Sequence, residues 1–295
     1  MSIVKSLSVG NGDMFYIRHN SANFTIIDCS MAEEWWAGVV EELKAQRTDG
    51  DITRFISTHP DDDHLRGLVH LDDELRILNF YCVKNSATKD DPTDDFKRYC
   101  ELRDSAKKAF HIYAGCSRRW MNKDSEERAS SGIQILWPKV DNEDYQVALQ
   151  EAAEGLSPNN ISAVIKYKQA GGAKVLWMGD LEAEFMEQIE DSIDLPAVDI
   201  VFAPHHGRES GTIPASMLEK LSPKLIVVGE APAEHLHYYP EYNTLTQNSA
   251  GDITFECSAG WVDVYVSSDT YAVDFLQDRG LPNAHDGYYI GSLAV

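Results

Sequence analysis

One short segment, His59-Pro60-Asp61-Asp62-Asp63-His64, gathers two imidazoles and three carboxylates directly after an apolar run. Carboxylates packed this tightly repel one another and desolvate poorly unless a cation balances them, and mixed imidazole and carboxylate ligands suit zinc, manganese or iron. The competing explanation is a solvated acidic turn, which needs neither a histidine at each end nor a strand leading into it. Two further segments share the design. Val175-Leu176-Trp177-Met178 runs into Gly179-Asp180, and an aspartate at a strand end can bridge two cations, although Gly-Asp on its own is more often a turn or a helix cap. Residues 198–207, VDIVFAPHHG, deliver His205 and His206 in the same way, either to a metal or catalytic site or to buried backbone partners. Three apolar runs that each end in His or Asp point together to one metal centre more strongly than any one of them does.

The elements that must position these residues are short. Residues 3–9, 14–18 and 24–28 read as a strand meander separated by Gly/Asn turns, and 32–46 as an amphipathic helix. Residues 52–57 form a β-branched strand ending at Thr58-His59, so the acidic turn lies past its carboxyl end, where polar groups face a cleft. A short helix is expected over 65–71 and a strand over 76–83; residues 85–130 read as a polar helical insertion that covers the cleft. Strands follow at 133–137, 163–167, 175–178, 198–202, 225–228, 253–257, 261–266 and 271–275, with helices at 183–190 and 215–221. No linker or repeat divides the chain, so residues 1–295 are expected to form one domain of two sheets packed face to face with helices outside.

Composition narrows the function. A formal net charge of -22 repels nucleic-acid phosphates in general, which leaves nucleic acid as a substrate only through bound metal or a partner protein. The five cysteines form no CxxC pair, which argues against a disulfide framework or a thiolate zinc site and favours a reducing compartment. Without a basic leader or a run of some eighteen apolar residues, the expectation is a soluble cytoplasmic protein that does not enter the membrane. An aromatic stretch at 236–242 and the tail at 280–295 offer surfaces for a partner protein or a second copy of the chain, with packing against the sheet the stronger expectation.

The order of motifs resembles the metallo-β-lactamase superfamily, in particular the branch typified by the hydrolase domain of DNA-uptake competence proteins (ComEC-like). The residues that carry the resemblance are the turn Ser8-Val9-Gly10-Asn11-Gly12-Asp13-Met14, the strand end Ile26-Ile27-Asp28 and THPDDDHLRGL at 58–68. Further along come Asn159-Asn160-Ile161-Ser162, WMGD at 177–180 and APHHGRESG at 203–211, so most of the chain is covered.

The resemblance implies an αββα sandwich of two mixed sheets and two divalent ions, zinc or manganese with iron as a further option. His59 and Asp61 would serve the first ion, Asp63 and His64 the second, with Asp180 bridging and His206 or His205 completing the set. Asp61 stands where the general pattern has a second histidine, which makes the site harder and richer in oxygen. Asn160 stands where many members place a third histidine, Arg66 where the family has a small residue, and Tyr239 precedes Pro240 where the branch tends to have histidine.

The implied chemistry is attack by metal-activated hydroxide. Asp63 would orient the nucleophile. His205 and Asn160 would aid the leaving group or bind an oxygen, with Arg208 and Ser210 adding hydrogen bonds. The leading expectation is a metal-dependent phosphodiesterase or nuclease. The alternatives are a hydrolase of a carboxylic ester, lactone, thioester or amide, and a metal-binding regulatory module within a larger complex.

Overall fold

The computed structural model describes residues 1–48, 51–123, 126, 129–169, 171–232, 235 and 237–295. Leu236, where the expected aromatic surface begins, and residues 124, 125, 127 and 128 of the expected insertion lie outside them.

Short β-branched and aromatic runs build two sheets. Strands β1 (Ser2–Ser6), β2 (Phe15–Arg18) and β3 (Asn23–Ile27) form the expected antiparallel meander. Helix α1 (Trp36–Gln46) then crosses over to β4 (Ile52–Ile56), α2 (Leu68–Leu75) to β5 (Phe80–Val83), and α3 (Asp94–Arg103) to β6 (Ala109–Ile112). Each of these crossovers makes its strand parallel to the one before. The second sheet takes β7 (Ile133–Trp137), β8 (Val164–Lys168), β9 (Lys174–Trp177), β10 (Ile200–Phe202), β11 (Leu225–Val228) and β12 (Thr244–Thr246), antiparallel from β7 to β9 and parallel from β9 to β12. The chain returns to the first sheet with β13 (Ile253–Ser258), β14 (Trp261–Val266) and β15 (Tyr288–Ala294), giving the order β15-β14-β13-β1-β2-β3-β4-β5-β6.

Alternation along β2 shows how the layers meet. Phe15 points inward, its ring 4.7 Å from Phe202 and 6.0 Å from Trp177 of the other sheet. Tyr16 points outward and donates its hydroxyl to Glu42 of α1 at 2.8 Å. On the outer side of the second sheet, Trp137 packs edge-on against Tyr145 of α4 (Glu143–Ala153) and Phe185 of α5 (Ala183–Ile189). The architecture is an αββα sandwich of two mixed sheets, as the resemblance implies.

Several elements differ from expectation: α4, β12 and β15 arise where no helix or strand was expected, and two further segments change type. Residues 271–275 alternate as a strand would but form none, because the free edge of β14 is taken by β15 from the tail; Tyr271 instead accepts the Thr246 amide at 3.1 Å. The 85–130 segment supplies one helix and also β6, which closes the edge of the first sheet beside β5. Among the described residues no helix is long and apolar enough to cross a membrane.

Phe55 of β4 is fully buried, its ring stacked on Phe80 at 5.5 Å. Phe55→Ala is expected to cost about 3–5 kcal/mol, because the cavity left in a packed layer adds to the lost transfer energy. Urea unfolding measures this as a lowered midpoint at unchanged slope, and a loss under about 1 kcal/mol would contradict the packing.

Candidate metal centre

Strands β3, β4, β9 and β10 each end at the same rim of the sandwich, and the next residues of each turn into one cluster. After β3 comes Asp28, fully buried and left-handed at φ 55°. Such a backbone costs about 1–3 kcal/mol in a non-glycine residue and persists only where its surroundings fix it. Here three donors do so. The Thr58 amide reaches Oδ1 at 2.7 Å, and the Thr58 hydroxyl at 2.6 Å and His64 Nδ1 at 2.9 Å reach Oδ2. Burial pushes the Asp28 carboxyl up, with His64 and Thr58 pulling the other way.

The loop after β10 carries His205 and His206, both left-handed at φ 50° and 57°, followed by Gly207 at φ 84°. A side chain at Gly207 would drive into Val228 Cγ1, so glycine is what lets the loop fold back onto β11. The His205 amide donates to the Gly179 carbonyl at 3.1 Å and ties this loop to the one bearing Asp180. His206 Nδ1 lies 3.1 Å from Asp13 Oδ1, while its Nε2 faces Asp63 Oδ2 at 3.3 Å and Asp180 Oδ2 at 3.6 Å. Asp13 comes from the opening glycine turn. A Cβ on Gly12 would collide with Ser30 Oγ and the Asp63 carbonyl, and the Asp13 amide donates to that same carbonyl at 3.2 Å.

A symmetry of roles results. His64 rests its Nδ1 on Asp28 and turns its Nε2 to Asp180 Oδ1 at 3.0 Å and Asp63 Oδ1 at 4.0 Å. His206 rests its Nδ1 on Asp13 and turns its Nε2 to the same two aspartates. A carboxylate on one ring nitrogen fixes the tautomer and leaves the other nitrogen as a ligand. Asp13, His64, Asp180 and His206 each bring a ligand atom within 4.8 Å of one another. The Asp13 contact runs through Nδ1, however, which makes Asp13 the counterpart of Asp28, while Asp63 stands on the Nε2 side.

The donor set fits a divalent cation. His59 Nε2, His64 Nε2 and Asp180 Oδ1 are buried without a well-directed hydrogen bond, even though His64 Nε2 and Asp180 Oδ1 lie 3.0 Å apart. Buried polar atoms are otherwise almost always satisfied. Ionisation agrees. Burial alone would depress both histidines, yet Asp180 and Asp28 raise His64 well above its ordinary value, and Asp13, Asp180 and Asp63 raise His206 to about 10. Asp180 is held well below the usual carboxylate range, since His64 and His206 outweigh its burial. The centre therefore draws in positive charge. His59 lies at its edge, lowered to about 4 by burial and by His64, with the two rings 4.2 Å apart.

The expected site residues divide accordingly. Asp63, His64, Asp180 and His206 converge. His205 stands beside them with Nε2 3.8 Å from Asp180 Oδ2 and Nδ1 2.9 Å from Ser210 Oγ, and burial lowers its pKa. Asp61 turns to Lys89 at 2.8 Å. Asn160 is not brought to the centre. Its amide donates to Glu182 Oε2 at 3.0 Å, and its carbonyl oxygen accepts the Glu182 amide at 3.1 Å. Asp13 and Asp28 were not among the expected site residues. The only signal for them was their place in the glycine turn and at the strand end.

Compared with known proteins, the chain matches no family model and no curated protein. Solved structures similar to it include Igni18, described as a novel metallo hydrolase from the hyperthermophilic archaeon Ignicoccus hospitalis KIN4/I, at 14% identity and TM-score 0.47, over 86% of this chain and 99% of that one. Another is CmlA, a diiron β-hydroxylase from Streptomyces venezuelae, at 13% identity and TM-score 0.40, over 78% of this chain and 44% of that one. What the site can do follows from its own geometry.

Proposed function

We propose that the chain is a metal-dependent hydrolase acting on phosphodiester bonds. The observation that carries this reading is the pair of buried histidines, each braced by a carboxylate at Nδ1, whose Nε2 atoms meet across Asp63 and Asp180. Those four side chains would hold a divalent ion, zinc or manganese by the mixture of nitrogen and oxygen donors. When bound, such an ion supplies Lewis acidity and an acidified water at neutral pH.

The chain's own residues do the rest. Asp28 and Asp13 hold the Nδ1 atoms as hydrogen-bond donors, so that a cation replacing the proton on each Nε2 would find its lone pair turned inward. Asp63 orients the attacking water. His205 keeps 14% of its side chain exposed, where the side chains of His64 and His206 are fully enclosed, which supports a role as a hydrogen-bond partner of the leaving oxygen. Arg208, held by Asn11 Oδ1, offers a guanidinium suited to a phosphate oxygen. That cation favours an anionic phosphodiester over a neutral carboxylic ester. The motif order from the glycine turn to APHHG supports a place in the competence-protein branch.

The test is a substrate panel with protein loaded with Mn2+ or Zn2+, in which bis(p-nitrophenyl) phosphate, single-stranded DNA and cyclic dinucleotides are set against lactones and thioesters. Metal-dependent cleavage of a phosphodiester, lost on chelation, is expected. Turnover confined to carboxyl substrates would overturn the choice of bond, and no turnover of either class would overturn the hydrolase reading.

A further inference from the structure

The three carboxylates of the turn from His59 to His64 do not share one fate. Asp63 faces the centre, whereas Asp61 Oδ1 and Asp62 Oδ2 both close on a single ammonium, Lys89 Nζ, each at 2.8 Å. The Lys89 side chain is only 18% exposed, and its charge also lies over the Phe96 ring, 5.4 Å from the centroid. The segment that carries it is clamped to the turn. Thr93 accepts the Phe96 amide at the start of α3 and donates to Asp62 Oδ1 at 3.3 Å. Asp95 accepts the amides of Gly67 at 2.9 Å and Val69 at 2.8 Å, which binds the first turn of α3 to the start of α2. The ammonium is thus fixed against the acidic turn by two carboxylates and a ring.

This arrangement bears on how much metal the turn can hold. His59 Nε2 is buried with no hydrogen-bond partner, but Asp61, the carboxylate two residues along, is already neutralised. A divalent ion bound to Asp61 Oδ1 would have to sit beside a fixed positive charge, and like charges at contact distance repel strongly in a partly buried site.

We infer that Lys89 stands in, by its charge, for a second divalent ion, so that each chain holds one ion and Asp61 is a ligand withheld from metal. The inference rests on the metal centre proposed above. The test is the metal-to-protein ratio by elemental mass spectrometry, after saturation with Mn2+ and desalting. Wild type is expected to hold about one ion per chain, Lys89→Arg the same, and Lys89→Met about two, with Lys89→Met/Asp61→Asn returning to about one.

Two ions in the wild type would overturn the inference even if Lys89→Met failed to fold. One ion in folded Lys89→Met would overturn it while leaving the metal centre standing. No ion in any of these proteins would remove the centre itself and the inference with it.

Discussion

Asp180→Asn is expected to abolish retention of metal through desalting and to lower phosphodiester turnover at least about 10³-fold. The reason is positional as much as electrostatic. Among the described residues Asp180 faces three histidine rings at once, with oxygens 3.0 Å from His64 Nε2, 3.6 Å from His206 Nε2 and 3.8 Å from His205 Nε2. An amide of the same shape keeps the volume and keeps the backbone bond from the Asp180 amide to Ser162 Oγ at 3.0 Å. It removes the negative charge that draws a cation between the two imidazoles. Circular dichroism should therefore match wild type while elemental analysis does not. Retention of metal and turnover within a few-fold of wild type would contradict the assignment of Asp180 to the centre.

Asp28→Asn has the second largest expected effect, and it acts at one remove. The carboxylate accepts from three donors, the Thr58 amide, the Thr58 hydroxyl and His64 Nδ1, and an amide group cannot serve all of them. One donor is left facing an NH₂ group in a fully buried site, and His64 loses the contact that sets its tautomer. Metal affinity is expected to fall about 10–100-fold, as it does when the carboxylate behind a ligating histidine is removed. Competition against a fluorescent chelator measures this directly. Asp28→Asn with unchanged affinity would show that Asp28 serves the β3 terminus alone and that His64 needs no brace.

Four of the residues that meet at the centre were legible in the sequence for one physical reason. Asp63, His64, Asp180 and His206 each follow a short apolar run, and in an open α/β sheet the residues past a strand's carboxyl end share a rim. Local pattern is enough to place them. The bracing carboxylates were not legible as such. Asp13 and His206 meet across 193 positions, and that contact depends on how β2 and β10 are stacked, which no local pattern encodes.

Asp61 shows the converse. Its type and spacing suit a ligand, but the ammonium that claims it arrives from a loop with no motif of its own. Asn160 likewise has the right place in the motif order, yet Glu182 engages its amide from both sides. In the fold, residues 271–275 had the alternation of a strand, but the edge of β14 is paired with the tail strand β15 instead. Pattern sets what a segment can pair with, and competition for edges decides what it does pair with.

Imidazoles and carboxylates from distant strand ends are proposed to grip one cation. Anomalous diffraction from crystals grown with Mn2+ tests it most directly. A strong peak is expected, bounded by His64 Nε2, His206 Nε2, Asp63 and Asp180, with both Nδ1 atoms still on Asp28 and Asp13. No peak there in crystals grown with saturating Mn2+, or a peak held by other residues while these two rings turn apart, would contradict it.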